Sequence, residues 1–174
     1  MPTCWRFVRW LAMAKVIEVD PLDKGSVASA IKELRKYKRW VQAKEKELRL
    51  RLAQVGATVA SLQFARAIYN GSNDVSVRVD NTGSVAVIYA EGSAVAFIEF
   101  GAGAKYGYGH PEAGKFGVGP GTYPEGKGRW DSPYGWWFAH GEHSYGNPPA
   151  MAMYQAREEI VEQITQIARE VFSH

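Results

Sequence analysis

The side chains able to carry chemistry gather in one region. His140 and His143 stand in "HGEH", and His110 lies earlier in the same stretch. Three imidazoles can hold a metal. The setting argues against it, because the sequence around them is glycine-rich rather than helical, so two rings would not share a helix face. It also departs from the zinc-protease pattern of two His four apart with Glu directly after the first. These read as ordinary loop histidines, and no metal or cofactor is expected. Glu99, Glu112, Glu125, Asp131 and Glu142 offer carboxylates. Glycoside hydrolysis needs two carboxyl groups ~5 to 10 Å apart, and nothing in the sequence sets such a spacing. Trp130, Trp136 and Trp137 suit stacking on sugar rings. They equally suit anchoring a long loop, since large rings bury much area at low entropic cost. "GKFGVGPGT" (Gly114 to Thr122) places its Lys before the glycines and has no Gly-Lys-Ser/Thr after them, so it is not a phosphate loop. No Ser-His-Asp set has a nucleophile elbow around it. Cys4, the single cysteine, rules out an intrachain disulfide and a cysteine-based zinc site.

Regular elements must frame this stretch. Val27, Leu34, Val41, Leu48 and Val55 recur every seven residues, with Ile31 and Leu52 widening the stripe. The pattern predicts an amphipathic helix from a Ser26 cap to about Gln54, ending at Gly56 and spanning about 40 Å. Lys38 and Glu45 fall where a coiled-coil seam wants apolar residues, so the stripe is expected to pack on the chain's own sheet. The other face is basic: Lys32, Arg35, Lys36, Lys38, Arg39, Lys44, Lys46, Arg49 and Arg51 stand against Glu33, Glu45 and Glu47 alone. A solvated or inter-subunit face is the plain reading; contact with an acidic partner or with DNA phosphates is the sharper one.

A second helix is expected over 58–69, with Gly71 as its stop. The period then falls to two. Val75, Val77 and Val79 precede the turn "DNTG", and Val85, Val87 and Tyr89 continue as a paired strand. In "AVAFIEFG" (Ala94 to Gly101) strand alternation would put Glu99 on one face with Val95 and Phe97, so a short helix is preferred. Residues 101–148 hold thirteen glycines and ten aromatic rings. A loop that long is usually functional or ordered by a partner. Its best candidate strand is "SPYGWWFAH". After Pro148 and Pro149, the residues Met153, Ala156, Ile160, Ile164, Ile167 and Val171 form one apolar stripe of a C-terminal helix. The fold class is therefore α+β: a long N-terminal helix, a second helix, a small antiparallel sheet, a long Gly/aromatic loop and a C-terminal amphipathic helix.

The 174 residues suit one domain. Residues 1–24 read as an N-terminal extension, and 25–174 as a single α+β domain with an inserted arm at about 101–148. Within the extension, Arg6 and Arg9 interrupt the apolar residues, so it lacks a signal-peptide core. Residues 1–12 are expected to be an upstream addition before Met13, with a short amphipathic anchor as the alternative. No apolar run approaches the ~20 residues of a membrane span. A net charge of +3 does not by itself argue for nucleic acid.

Two segments, "VAFIEFGAGAKYG" and "GNPPAMAMYQAREEIVEQITQIAREVF", carry a resemblance. Together, in this order, they resemble the neck or tail-completion family of tailed bacteriophages, of the gene-product-ten type first named from the lambdoid phage HK-ninety-seven. Phe97, Glu99, Phe100, Gly101 and Gly103 match its "FIEFGTG"-like segment, with Ala102 where the family often has Thr. Pro149, Met151, Met153, Tyr154 and Ala156 match the start of its last helix. The likeness runs from about residue 25 onward. It implies a structural virion protein at the head-to-tail joint, without enzymatic activity or cofactor, assembled in the cytoplasm of a bacterial host. The implied partners are identical copies in a six-fold or twelve-fold ring and adjacent neck, connector and tail proteins, with passage of DNA through the lumen as an option and no membrane. Tyr106, Tyr108, Trp130, Trp136 and Trp137 would then serve as interface residues of an arm that becomes ordered against a neighbour. Alternatives are a tail terminator or minor capsid protein and, in another class, a peptidoglycan- or carbohydrate-active enzyme using the aromatic loop and one carboxylate pair, which Glu99→Gln would test. Apart from the resemblance, Glu99 reads as a carboxylate bonded to amides of the glycine turn.

Overall fold

The computed structural model describes residues 16–69, 71–103, 105–106, 109–117 and 134–173. The expectations for residues 1–12, Cys4, Tyr108, Glu125, Trp130 and Asp131 lie outside them. The elements run α1 (Lys24–Arg66), β1 (Ser76–Asp80), β2 (Val87–Glu91), α2 (Val95–Phe100), a 3-10 turn (Ala113–Phe116), β3 (Trp136–Trp137), β4 (His143–Ser144) and α3 (Ala152–Phe172). The class is α+β, as the pattern predicts, and "AVAFIEFG" does form a helix. Among the described residues no helix is long and apolar enough to cross a membrane. The chain forms two compact units, Met1–Arg49 with Thr165–His174 and Leu50–Ile164.

Helix α1 departs from expectation at both ends. Its cap is Asp23, not Ser26: the two Asp23 carboxylate oxygens accept from the amides of Gly25 (2.9 Å) and Ser26 (3.1 Å). The Ser26 hydroxyl instead accepts from the Asp20 amide at 2.9 Å. Nor does the helix stop at Gly56. It runs on to Arg66 and absorbs the segment expected as a separate helix. A Cβ at Gly56 would lie 2.6 Å from Ile160 Cδ1 and 2.7 Å from Ile88 Cδ1. The glycine is thus a point of close packing, and that burial outweighs the ~1 kcal/mol helix penalty of Gly. At the C-terminal end Asn73 Nδ2 donates to the Phe64 carbonyl at 3.0 Å, satisfying one open acceptor.

In the unit Leu50–Ile164 the core is a cluster of Ala60, Phe64, Ala94, Ile98, Ala152 and Ala156. The contribution of α1 here is a stripe of Ala53, Gly56, Ala60 and Phe64, all buried. Small residues at helical spacing, rather than the seven-residue repeat of large ones, mark the packed face. A strict seven-residue spacing drifts ~20° per repeat on a straight helix. β1 and β2 pair antiparallel with Val77 opposite Ala90 and Val79 opposite Ile88. Val87 and Tyr89 point the other way and are exposed. On that outer face Arg78 lies 4.2 Å from the Tyr89 ring centre and donates to Glu91 Oε1 at 2.7 and 3.0 Å.

In the unit Met1–Arg49 with Thr165–His174, Ala30, Ile167 and Val171 are buried. Trp40 stacks on Tyr37 (ring centres 5.6 Å apart) and meets the Phe172 ring edge-on at 5.9 Å.

Candidate functional site

The two segments that carry the family resemblance interlock. α2 ends with carbonyls that need donors. Asn147 Nδ2 donates to the Phe97 carbonyl (2.8 Å), the Ala150 amide to Ile98 (2.7 Å) and the Met151 amide to Glu99 (3.2 Å). Ala102 and Asn147 exchange both backbone hydrogen bonds at 3.0 Å, an isolated antiparallel bridge. The segment before α3 thus lies against the end of α2 and closes the base of the inserted stretch.

This close approach requires glycine. Gly101 (φ 77°) and Gly103 (φ 88°) both sit in the left-handed region. A Cβ on Gly101 would lie 2.9 Å from the Pro149 nitrogen, and one on Gly103 2.4 Å from the Tyr145 carbonyl oxygen. Met151, just before α3, also has positive φ, at 51°. That is unusual for a residue with a side chain. Its amide bond to the Glu99 carbonyl and its carbonyl bond from the Gln155 amide (2.8 Å) hold it there.

Glu99 completes the latch. Its Oε2 accepts from the Met153 amide (2.9 Å) and its Oε1 from the Tyr154 amide (3.1 Å). These are the second and third amides of α3, the ones a local Ser or Asp cap would satisfy. Met151 offers no side-chain oxygen, so a carboxylate more than fifty residues earlier does the capping. Its negative charge also suits the positive end of the helix dipole. Glu99 and His110 are each only 5% exposed. His110 Nε2 lies 3.3 Å from Glu99 Oε1, and His110 Nδ1 accepts from the Glu112 amide at 3.1 Å. An accepting Nδ1 places the ring proton on Nε2, where it donates to Glu99. The His110 ring is flanked by Phe100 (4.6 Å between centres) and Tyr154 (5.6 Å).

Glu99 is therefore bonded to backbone amides, as its position suggests, but they belong to α3 rather than to the glycine turn. With three donors on its two oxygens and almost no solvent contact, it holds chain segments together. The other candidates stand apart from it. Glu112 pairs with Arg157 (3.3 Å) and Lys115 (3.6 Å). His140 stacks on Phe138 and lies 3.7 Å from Glu142. His143 sits in β4 beneath Trp137 and Tyr145, at 4.7 and 4.6 Å between ring centres. Among the described residues no group of three His, Cys, Asp or Glu side chains is placed to hold a metal.

Of the expected interface residues, Phe97, Glu99, Phe100, Gly101, Gly103, Pro149, Met151 and Met153 come together in the latch. Tyr106 lies just beyond it, with its amide donating to the Gly103 carbonyl at 3.1 Å. Trp136 and Trp137 form β3, paired with β4. Trp137 is 71% exposed, while Trp136 is half-buried and meets Phe138 edge-on at 6.5 Å. Sequence reasoning missed Asn147, which is 3% exposed. The available signal was an Asn directly before two prolines, where its side chain can bond nearby backbone; its burial, which makes those bonds necessary, is seen only in the structure.

Asp74 was missed as well. It accepts from the amides of Ser93 (2.8 Å) and Ala94 (3.1 Å), tying the turn that leads into α2 to the segment before β1. The Ser93 amide first, and then that of Ala94, hold its carboxyl below the usual carboxylate range. A carboxyl that binds protons less readily when folded contributes stability above its unfolded pKa of about 4, and that contribution is lost as pH falls through the lower folded value. Urea unfolding from pH 6 down to pH 2.5 is expected to show a shallower acid loss in Asp74→Asn than in the parent. Parallel acid limbs would remove this role for Asp74.

Comparison of the chain with models of protein families, with curated proteins and with solved structures finds no match.

Proposed function

We propose that this chain is a structural virion protein at the head-to-tail joint of a tailed phage, acting as a ring subunit beside other neck and tail proteins. The observation that carries the reading is the latch. The two segments that resemble the neck family are distant in sequence, yet they build one structural unit through Glu99, Asn147 and the start of α3. A pattern held in two places for one physical reason is stronger than either half alone.

The surface supports the same reading. Tyr134 (83% exposed), Trp137 and Tyr145 lie open to solvent around β3 and β4. Val161 and Ile164 on α3 and Leu62 on α1 are also exposed. Exposed aromatic and aliphatic groups of this size suit burial against neighbouring subunits. A ring subunit needs such surface on two sides, because each copy meets two identical neighbours. Glu99, the carboxylate that an enzyme reading would use, already accepts from two of the protein's own amides and faces His110, with almost no contact with solvent.

The test is electron microscopy of lysates from a phage with a stop codon in this gene. The expected result is DNA-filled heads beside separate tails. Complete, infectious particles would remove the joining role.

A further inference from the structure

The charge of this protein is unevenly placed. α1 carries eleven Lys and Arg against three Glu, a net +8, while the whole chain is +3; the remainder is therefore −5. A helix that only needs solubility mixes both signs and pairs them at i, i+4. Here the carboxylates lie away from one face. Glu47 pairs with Lys44 (3.4 Å) and Glu45 with Arg49 (3.8 Å). Lys32, Arg35, Lys36, Lys38 and Arg39 are all exposed, and none makes an ion pair among the described residues.

These five side chains fall within one arc of about 160° at ~100° per residue. Ala28, Ile31 and Gln42 continue the same face, which bears a shallow recess lined by Lys32, Arg35, Lys38 and Arg39. From Ala28 to Gln42 it is about 21 Å long at 1.5 Å per residue. It offers roughly one cation or more per turn, on a rod about 10–12 Å across.

We infer that this face of α1 binds the phosphate backbone of double-stranded DNA, without reading its sequence. Duplex DNA presents one negative charge per ~1.7 Å of axis, a dense and regular row of charge for closely spaced cations to meet. Its major groove, ~12 Å wide, admits a helix of this diameter. Gln42 is the only uncharged polar group on the face, too little for base discrimination. A membrane surface fits less well, because an interfacial helix needs several large apolar residues beside its cations and this face has only Ile31. The binding is weak and salt-sensitive, in the non-specific range of about 10⁻⁴ to 10⁻⁶ M at physiological salt. Such contact tolerates DNA that slides past. The inference rests on charge alone and stands whether or not the virion reading does.

The experiment is fluorescence anisotropy of a labelled mixed-sequence 20-base-pair duplex with the full chain, between 50 and 200 mM salt. Five phosphate contacts give a slope of log K against log salt near −4.5, a loss of about 500-fold across that range. The variant Arg35→Gln/Lys38→Gln/Arg39→Gln removes three contacts and is expected to leave about a 10-fold loss. Gln is as good a helix former as Lys or Arg, so α1 persists. A control of equal charge change, Lys105→Gln/Lys115→Gln/Arg169→Gln, is expected to keep the parent slope. No binding at 50 mM salt overturns the inference, as does an equal slope change in both variants. So does stronger binding to poly-glutamate of equal charge or to anionic vesicles, which would assign the face to an acidic protein or a lipid surface instead.

Discussion

Replacing Glu99 by Ala is expected to lower the melting temperature by about 10 °C. The substitution strips acceptors from the Met153 amide, the Tyr154 amide and the His110 ring, at distances of 2.9, 3.1 and 3.3 Å. Each buried donor left without a partner costs about 1–3 kcal/mol, and some are recovered by relaxation or entering water. A net loss of about 3–5 kcal/mol is comparable to breaking a buried charged pair. At about 2–4 °C per kcal/mol for a chain of this size, that gives the stated shift. Glu99→Gln keeps one acceptor oxygen but turns an amide group toward a donor and removes the charge at the α3 terminus. Its expected shift is about half as large. Differential scanning calorimetry checks both values, and a shift under about 2 °C for Glu99→Ala would remove the latch as a source of stability. The same pair of variants separates assembly from catalysis. If the structural reading holds, the yield of joined particles follows the melting temperature. A Glu99→Gln protein that stays stable and assembles, yet loses hydrolysis of cell-wall sugar shown by the parent, would sink it.

Gly103→Ala is expected to open the latch from its other side. At φ 88° a side chain is strained whatever the space, by about 1–2 kcal/mol. The new Cβ would also lie 2.4 Å from the Tyr145 oxygen and 2.9 Å from the Gly146 Cα. Both obstacles are backbone, so no rotamer change relieves them, and overpacking adds about 1–3 kcal/mol. The chain must separate the Gly103 and Gly146 segments, and this breaks the Ala102–Asn147 bridge. Limited proteolysis is the discriminating measurement. Cleavage between residues 101 and 148 is expected to speed up at least 10-fold in Gly103→Ala, while α1 and α3 remain intact on gels. Unchanged cleavage together with an unchanged melting temperature would show that the two segments do not need the close approach. Gly114→Ala serves as the control, because a Cβ there meets nothing within 4 Å.

Several features of the fold are decided locally and can be read from the chain. The stripe of Met153, Ala156, Ile160, Ile164, Ile167 and Val171 has one solution, a helix with one apolar face. α3 follows it, although Ile164 in that stripe stays exposed. Alternation around Asp80–Gly83 has one solution too, and the Asp80 carboxylate fixes the turn by accepting from the Thr82 amide (2.9 Å) and hydroxyl (2.8 Å). The awkward position of Glu99 on a strand face correctly favours a helix for α2. The basic surplus of α1 is likewise visible without coordinates.

Tertiary structure alone decides the rest. Gly56 reads as a helix stop because its local penalty is known and its neighbours are not. Ile88 and Ile160, 32 and 104 residues on, turn it into a packing position. Asp23 and Ser26 are both good caps, and only the backbone path chooses between them. By residue type Glu99 looks like a candidate catalyst and His110 like a candidate metal ligand, since type cannot show where a side chain's partners are. For Glu99 those partners are the amides of a helix that starts fifty residues later, brought within 3.1 Å by the meeting of two glycine turns and an asparagine. Sequence determines which groups need partners; the long-range fold determines which partners they find.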